Sequence, residues 1–252
     1  MSPRRQWRCW RAYDLHNLKV INMIGILCAM DRELELFLEE IEQPVVHRQL
    51  YGYDYVVGRL RGVDVVLCRC GVGKVNAAVC TQTMIMTWTV RLIVNSGVAG
   101  ALREEMQVGD VCVATDLVQY DLDTSAVGDP VGFVSTVNQT YFRCAEWAVD
   151  GILRAAQSID GVRAYTARIA TGDQFIDDQA QKDRIVRLFD ASACEMEGCA
   201  IAQVCFISGV DCAVIRAISD ASTGSHDVEY NRYMPMAAEI SARVVLKFLE
   251  NL

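Results

Sequence analysis

The sequence has 252 residues, 52% hydrophobic and 22% charged, with a formal net charge of −8 at pH 7. This apolar fraction and lean charge exclude a disordered, collagen-like or coiled-coil chain, and the acidic balance argues against nucleic acid or an anionic membrane as partner. A chain of this length buries roughly 70 to 75% of its unfolded surface, so a sizeable core and a small-molecule partner are expected.

The charge is uneven. Residues 1–22 carry Arg4, Arg5, Arg8, Arg11 and Lys19 against Asp14, a net of +4 that leaves −12 for the other 230 residues. Charged and polar residues interrupt the leader where a secretory signal requires an apolar run of roughly 7 to 15 residues. The favoured reading is that Met23 is the natural start and residues 1–22 a disordered or artefactual extension; a flexible basic arm is the other. Residues 23–252 then form one domain.

In chain order, Met23 to Met30 is an apolar run of strand length, followed from Asp31 by a helix whose Leu34, Phe37, Leu38 and Ile41 share one face. Tyr53 to Leu60 and Val63 to Cys70 read as strands joined by a turn at Arg61-Gly62, with a helix from about Val72 to Trp88 after them. Arg91 to Ser96 is a buried strand ending in a glycine-containing loop, Gly97 to Gly100, and Val111 to Ala114 continues the pattern. The second half offers a helix near Tyr141 to Ser158, a strand at Tyr165 to Ala170, a helix near Asp178 to Phe189 and the short segment Ala193 to Glu197. A helix from Gly198 to Ser208 ends at Gly209, Cys212 to Ile218 is a buried strand, and a helix from about Tyr230 to Leu249 has Pro235 in its first turns. The alternation predicts a single three-layer α/β/α domain with a mixed central sheet.

Of the eleven cysteines, Cys28, Cys68, Cys70, Cys112 and Cys205 are among those inside apolar runs, and no Cys-x-x-Cys pair occurs. They read as small buried hydrophobes of a reducing compartment, and His16, His47 and His226 lack metal-ligand spacing. No metal site is expected. Nor does any run of 18 uncharged apolar residues predict a membrane span.

Sheets of this kind place ligands at the carboxyl ends of their strands. The polar residues there are Glu33, the Gly97–Gly100 segment, Glu195 and Glu197, and Ser219-Asp220. Gly71-Val72-Gly73-Lys74 also opens a helix after a strand. It fails as a dinucleotide fingerprint, because Asn76 stands at the third glycine, and as a P-loop, because Val75 follows the lysine and Cys68 stands at the first glycine. A tight turn or a loop near a ligand remains.

Beyond these patterns, the chain resembles the 5'-methylthioadenosine/S-adenosylhomocysteine nucleosidases of the purine nucleoside phosphorylase superfamily. The resemblance rests on Ile24-Gly25-Ile26 with Ala29-Met30 and Glu33, Gly71 to Ala78, Asn95 to Gly100, Val108-Gly109-Asp110, Tyr120 to Thr124, Gly172-Asp173 with Phe175-Ile176, Glu195-Met196-Glu197, and Arg216 to Asp220. It implies a nucleoside phosphorylase-like fold and a cytoplasmic homodimer without cofactor. The reaction implied is hydrolysis of the N-glycosidic bond of methylthioadenosine and adenosylhomocysteine, with 5'-deoxyadenosine a further substrate, in methionine salvage.

Adenine leaves poorly as an anion, so N7 must be protonated while water attacks an oxocarbenium-like sugar. The resemblance makes Asp220 the acid, oriented by Ser219, and Glu33 the base. An ordinary Asp titrates near about 3.9, so its pKa must rise by about 3 units to serve at neutral pH. Glu197 would hold the ribose diol with Met196 against the sugar and Val98 to Gly100 alongside. Phe175 would stack on adenine, the backbone of Ile176 read its edge, and Arg216 with Glu33 place the water. Glu195, Met30 and Tyr230 complete the expected substrate-binding set. Where many relatives have an aromatic residue reaching the partner's 5'-pocket, this chain has Val127. The alternatives are a purine nucleoside phosphorylase and a non-catalytic nucleoside sensor.

Overall fold

A computed structural model describes residues 22–221 and 226–252, so the leader expected over residues 1–22 lies, apart from Asn22, outside the described residues. Ten strands form one mixed sheet. Its centre is β1 (Met23–Cys28), fully buried and flanked by two parallel neighbours, β4 (Val63–Arg69) and β5 (Val90–Ala101). A strand buried on both faces reads as the unbroken apolar run seen here. Outward from β4 lie β3 (Tyr53–Leu60) and the edge strand β2 (Glu42–Leu50), both antiparallel.

On the other side, β10 (Asp211–Asp220) runs parallel to β5 and antiparallel to β6 (Val111–Gln119). Next to β6 come β8 (Ala164–Thr171) and the short β9 (Ala193–Glu195), which returns to pair with β5. Strands β5, β10, β6, β8 and β9 therefore close on themselves, and β7 (Phe142–Arg143) pairs with β6 outside that circuit. Helices α1 (Asp31–Glu40), α3 (Glu146–Gln157) and α6 (His226–Leu249) pack together, as do α2 (Lys74–Thr87) and α5 (Gly198–Ser208); α4 (Gln179–Phe189) follows the loop after β8. The expected helix-sheet-helix layering is thus present.

Several boundaries differ from the sequence expectation. The Gly97–Gly100 segment is strand: β5 continues to Ala101 because these residues pair with Arg216 to Asp220 of β10. Strand β2 was not expected, since it is largely exposed, carries Pro44 and has no apolar alternation, as an edge strand allows. Residues 142–143 pair with β6, so α3 starts at Glu146. Helix α6 begins at His226, which puts Pro235 about two and a half turns inside it, where a proline supplies no N–H to the helix ladder. Asp178 caps α4 through a 2.9 Å bond from the Gln181 N–H, and Gly209 ends α5 in the left-handed region at φ 67°.

Candidate active site

A cavity opens at the carboxyl ends of β1, β5, β9 and β10, where a sheet of this kind places a small-molecule ligand. Its wall includes Met30, Glu33, Val98, Gly100, Phe175, Glu195, Met196, Glu197, Ser219, Asp220 and Tyr230. Each of these was expected. Ile176 is buried in the neighbouring apolar cluster and Arg216 lies behind the wall, so neither of these expected residues lines the cavity. Ala99 lines it within the expected Val98–Gly100 segment, and Ala29, Val72 and Cys194 line it without an expected role.

Glu33 sits in the first turn of α1 and folds back over the β1 end. Its Oε2 accepts from the N–H of Ala29 at 2.8 Å and of Met30 at 3.0 Å, and its Oε1 from the N–H of Val98 at 3.0 Å. Burial pushes its pKa up, against the pull of Arg216 and those three donors. Gly97 permits the approach: a Cβ there would stand 2.5 Å from Glu33 Oε1.

Asp220 ends β10, almost fully buried, beside Gly100 of β5. A Cβ on Gly100 would come within 2.9 Å of Asp220 Oδ2. Ser219 Oγ lies 2.8 Å from Asp220 Oδ1 and 3.3 Å from the Ala99 carbonyl, so its single proton can serve either.

Glu197 stands at the N-cap position of α5, and its carboxylate turns away from the helix to accept from the Gly73 N–H at 2.8 Å. Burial, followed by the Glu195 charge, pushes its pKa up to about 8, opposed by Arg216 and the Gly73 donor. Glu195 has its oxygens engaged by the protein. Thr171 Oγ1 donates to Oε1, while Arg216 Nη2 and the N–H groups of Glu197 (2.9 Å) and Gly198 (2.7 Å) converge on Oε2. Its carboxylate thus holds the start of α5 and the guanidinium in place. Arg216 also donates to the side chain and backbone carbonyl of Asn95, and approaches Glu197 at 3.8 Å. One buried cation therefore serves three buried carboxylates, Glu33, Glu195 and Glu197.

The outer wall is apolar. The half-exposed Phe175 meets Tyr230 edge-on, with ring centroids 5.4 Å apart at 80°, and the Tyr230 hydroxyl reaches Met30 Sδ at 3.3 Å. Burial, followed by the charges of Glu33, Asp220 and Glu197, pushes the Tyr230 phenol up to about 12. Among the described residues no His, Cys, Asp and Glu grouping could hold a metal ion.

Gly172 precedes the Phe175 loop, and a Cβ on it would stand 2.3 Å from the Tyr120 ring. The rigid ring, whose hydroxyl donates to the Gln174 carbonyl at 3.2 Å, would have to move. Gly172→Ala is expected to cost about 2 kcal/mol of stability by overpacking. Denaturant titration showing an unchanged midpoint would contradict it.

Residues 23–250 match the family described as the phosphorylase superfamily. A Campylobacter jejuni aminodeoxyfutalosine nucleosidase is 35% identical over 91% of this chain and 99% of its own length. A Shewanella halifaxensis 5'-methylthioadenosine/S-adenosylhomocysteine nucleosidase is 34% identical over 91% of this chain and 99% of its own. The crystal structure of the Neisseria meningitidis 5'-methylthioadenosine/S-adenosylhomocysteine nucleosidase in complex with methylthio-immucillin-A superposes with a TM-score of 0.88 at 31% identity, covering 92% of this chain and all of the other. With this fold, these relatives and their full-length coverage, the chain belongs to the phosphorylase superfamily and is an N-ribosyl hydrolase of its nucleosidase branch.

Proposed function

We propose that this enzyme hydrolyses the N-glycosidic bond of adenine nucleosides bearing a 5'-thio substituent, methylthioadenosine and adenosylhomocysteine, and also of 5'-deoxyadenosine. The observation that carries the reading is the convergence of Glu33, Glu197 and Asp220 from three separate elements on one cavity. Each has a different task. Asp220 delivers a proton to adenine N7, so that neutral adenine departs; Glu33, raised by burial, takes a proton from water as it attacks the anomeric carbon. Glu197 accepts from the two ribose hydroxyls and stabilises the cationic ring, and those two donors favour its ionised form. Phe175 covers the adenine face and Met196 the sugar, while Arg216 acts from behind the wall by fixing Glu195 and the field at Glu33.

Met30 and Tyr230 give the far end of the cavity a thioether and an aromatic edge, a surface suited to a 5'-sulfur substituent. Val127 is 82% exposed and lies outside the cavity wall. The exposed Val75, Val79 and Met86 of α2 and Phe206 and Ile207 of α5 form the apolar face by which we expect a homodimer to assemble. We place the reaction in the cytoplasm, in methionine salvage, where the buried free thiols stay reduced.

The test is methylthioadenosine in phosphate-free buffer with adenine followed by chromatography, in competition with adenosylhomocysteine, 5'-deoxyadenosine and aminodeoxyfutalosine. Adenine release at the same rate with and without phosphate is expected. No adenine from any thio-nucleoside, or a strong preference for aminodeoxyfutalosine, would sink this substrate assignment.

A further inference from the structure

The Gly73-Lys74 turn matches no phosphate motif, yet both of its N–H groups and its ammonium are bonded beside the cavity. Its two N–H groups meet two carboxylates: Gly73 donates to Glu197 Oε1 and Lys74 to Asp173 Oδ1, each at 2.8 Å. Gly73 takes φ 98°, and a Cβ there would stand 3.1 Å from Asp173 Oδ1, so both the turn and its partner ask for glycine. The Lys74 ammonium donates to Asp121 Oδ1 at 2.6 Å and to Gln119 Oε1 at 3.0 Å. The other Asp121 oxygen accepts from the Asp173 N–H at 2.9 Å.

Asp121 thus holds two segments at once with its two oxygens. One is the turn that opens α2 and donates to Glu197; the other is the β8–α4 loop, in which Phe175 lies two residues after Asp173. Glu197 and Phe175 both line the cavity. An isolated surface ion pair contributes little. Here the Lys74 and Asp121 side chains are only 18% and 22% exposed, and backbone donors fix both carboxylates, which turns a pair into a closed ring of bonds.

We propose that Asp121 is a positioning residue for the hydrolysis proposed above, holding the Gly73 turn on Glu197 and the Phe175 loop on the adenine face as one rigid wall. It touches no reacting atom. Its removal loosens the groups that grip ribose and adenine and leaves Asp220 and Glu33 where they are, so the effect falls on binding more than on turnover.

The test compares Asp121→Ala and Asp121→Asn with wild type by steady-state kinetics on methylthioadenosine and by amide hydrogen exchange over residues 172–178. For Asp121→Ala the expected result is a KM raised about tenfold with kcat within about threefold of wild type, and faster exchange in the loop. Asp121→Asn keeps one acceptor oxygen at nearly the same volume and should raise KM about threefold, which provides the reading if the alanine variant does not fold. An unchanged KM with unchanged exchange, or a loss confined to kcat, overturns the proposal. The exchange measurement needs no substrate, so a wild type that releases no adenine would fail the substrate assignment while this positioning role stays measurable.

Discussion

Replacing Asp220 by Asn is expected to lower kcat for methylthioadenosine by about a thousandfold while changing KM only a few-fold. General acid catalysis contributes roughly 10² to 10⁴ in rate, and an amide has no proton to give up. The asparagine is close in size and can still donate a hydrogen bond to N7, so ground-state binding survives. The site also fits an amide in volume, since Asp220 packs against Gly100 with no room to spare and Asn adds no bulk. A leaving group that needs no protonation separates chemistry from misfolding: a 4-nitrophenyl 5-thioriboside should be cleaved by Asp220→Asn within about tenfold of wild type. If the variant retains methylthioadenosine turnover within tenfold of wild type, Asp220 is not the acid.

Much of this site was legible because functional carboxylates in such a sheet follow apolar strands. Glu33, Glu195, Glu197 and Asp220 all follow or end buried runs, and the structure gathers all four at one cavity. What the pattern could not show is how four acids divide their partners. Glu195 and Glu197 are two residues apart in a three-letter motif, yet Glu195 is consumed by Arg216, Thr171 and the start of α5, whereas Glu197 keeps an oxygen toward Arg216 at 3.8 Å and lines the cavity. That division depends on contacts between β9, β8 and β10, which are remote in sequence.

The Gly97–Gly100 segment differs from the sequence expectation for a related reason. Two glycines in four residues signal a loop locally, but pairing with β10 makes the segment strand, and the missing side chains make room for Glu33 and Asp220. Cys194 is buried like the core-filling cysteines that composition predicts, with its thiol pushed up to about 12 by burial and by Asp220, and it is also part of the cavity wall. Arg216 is a charged residue inside the apolar run CAVIRAI. Its acceptors lie on β5 and β9, so only the fold supplies the reason for it.

The second large effect is expected at Glu33. Glu33→Gln should lower kcat by about 10² to 10⁴ while methylthioadenosine still binds, because the base is lost and the grip on ribose and adenine is not. The geometry adds a second consequence. Three N–H groups point at the carboxylate, two at Oε2 and one at Oε1. A glutamine can turn its oxygen to the pair from Ala29 and Met30, but its NH₂ must then face the Val98 N–H. One buried donor is left unmet, which costs about 1 to 3 kcal/mol.

The pH profile distinguishes this from mere destabilisation. In the wild type two carboxylates must be ionised, Glu33 and Glu197, and both are raised by burial, so kcat/KM should fall toward acid from well above the ordinary glutamate range, with a limiting slope approaching two. Arg216 opposes both protonations and Glu195 favours protonation of Glu197, so the two steps belong to the cluster. In Glu33→Gln only Glu197 is left to titrate, and the residual activity should fall with a slope of one. A variant that keeps full turnover, or one that keeps the slope of two, would show that the base is not Glu33.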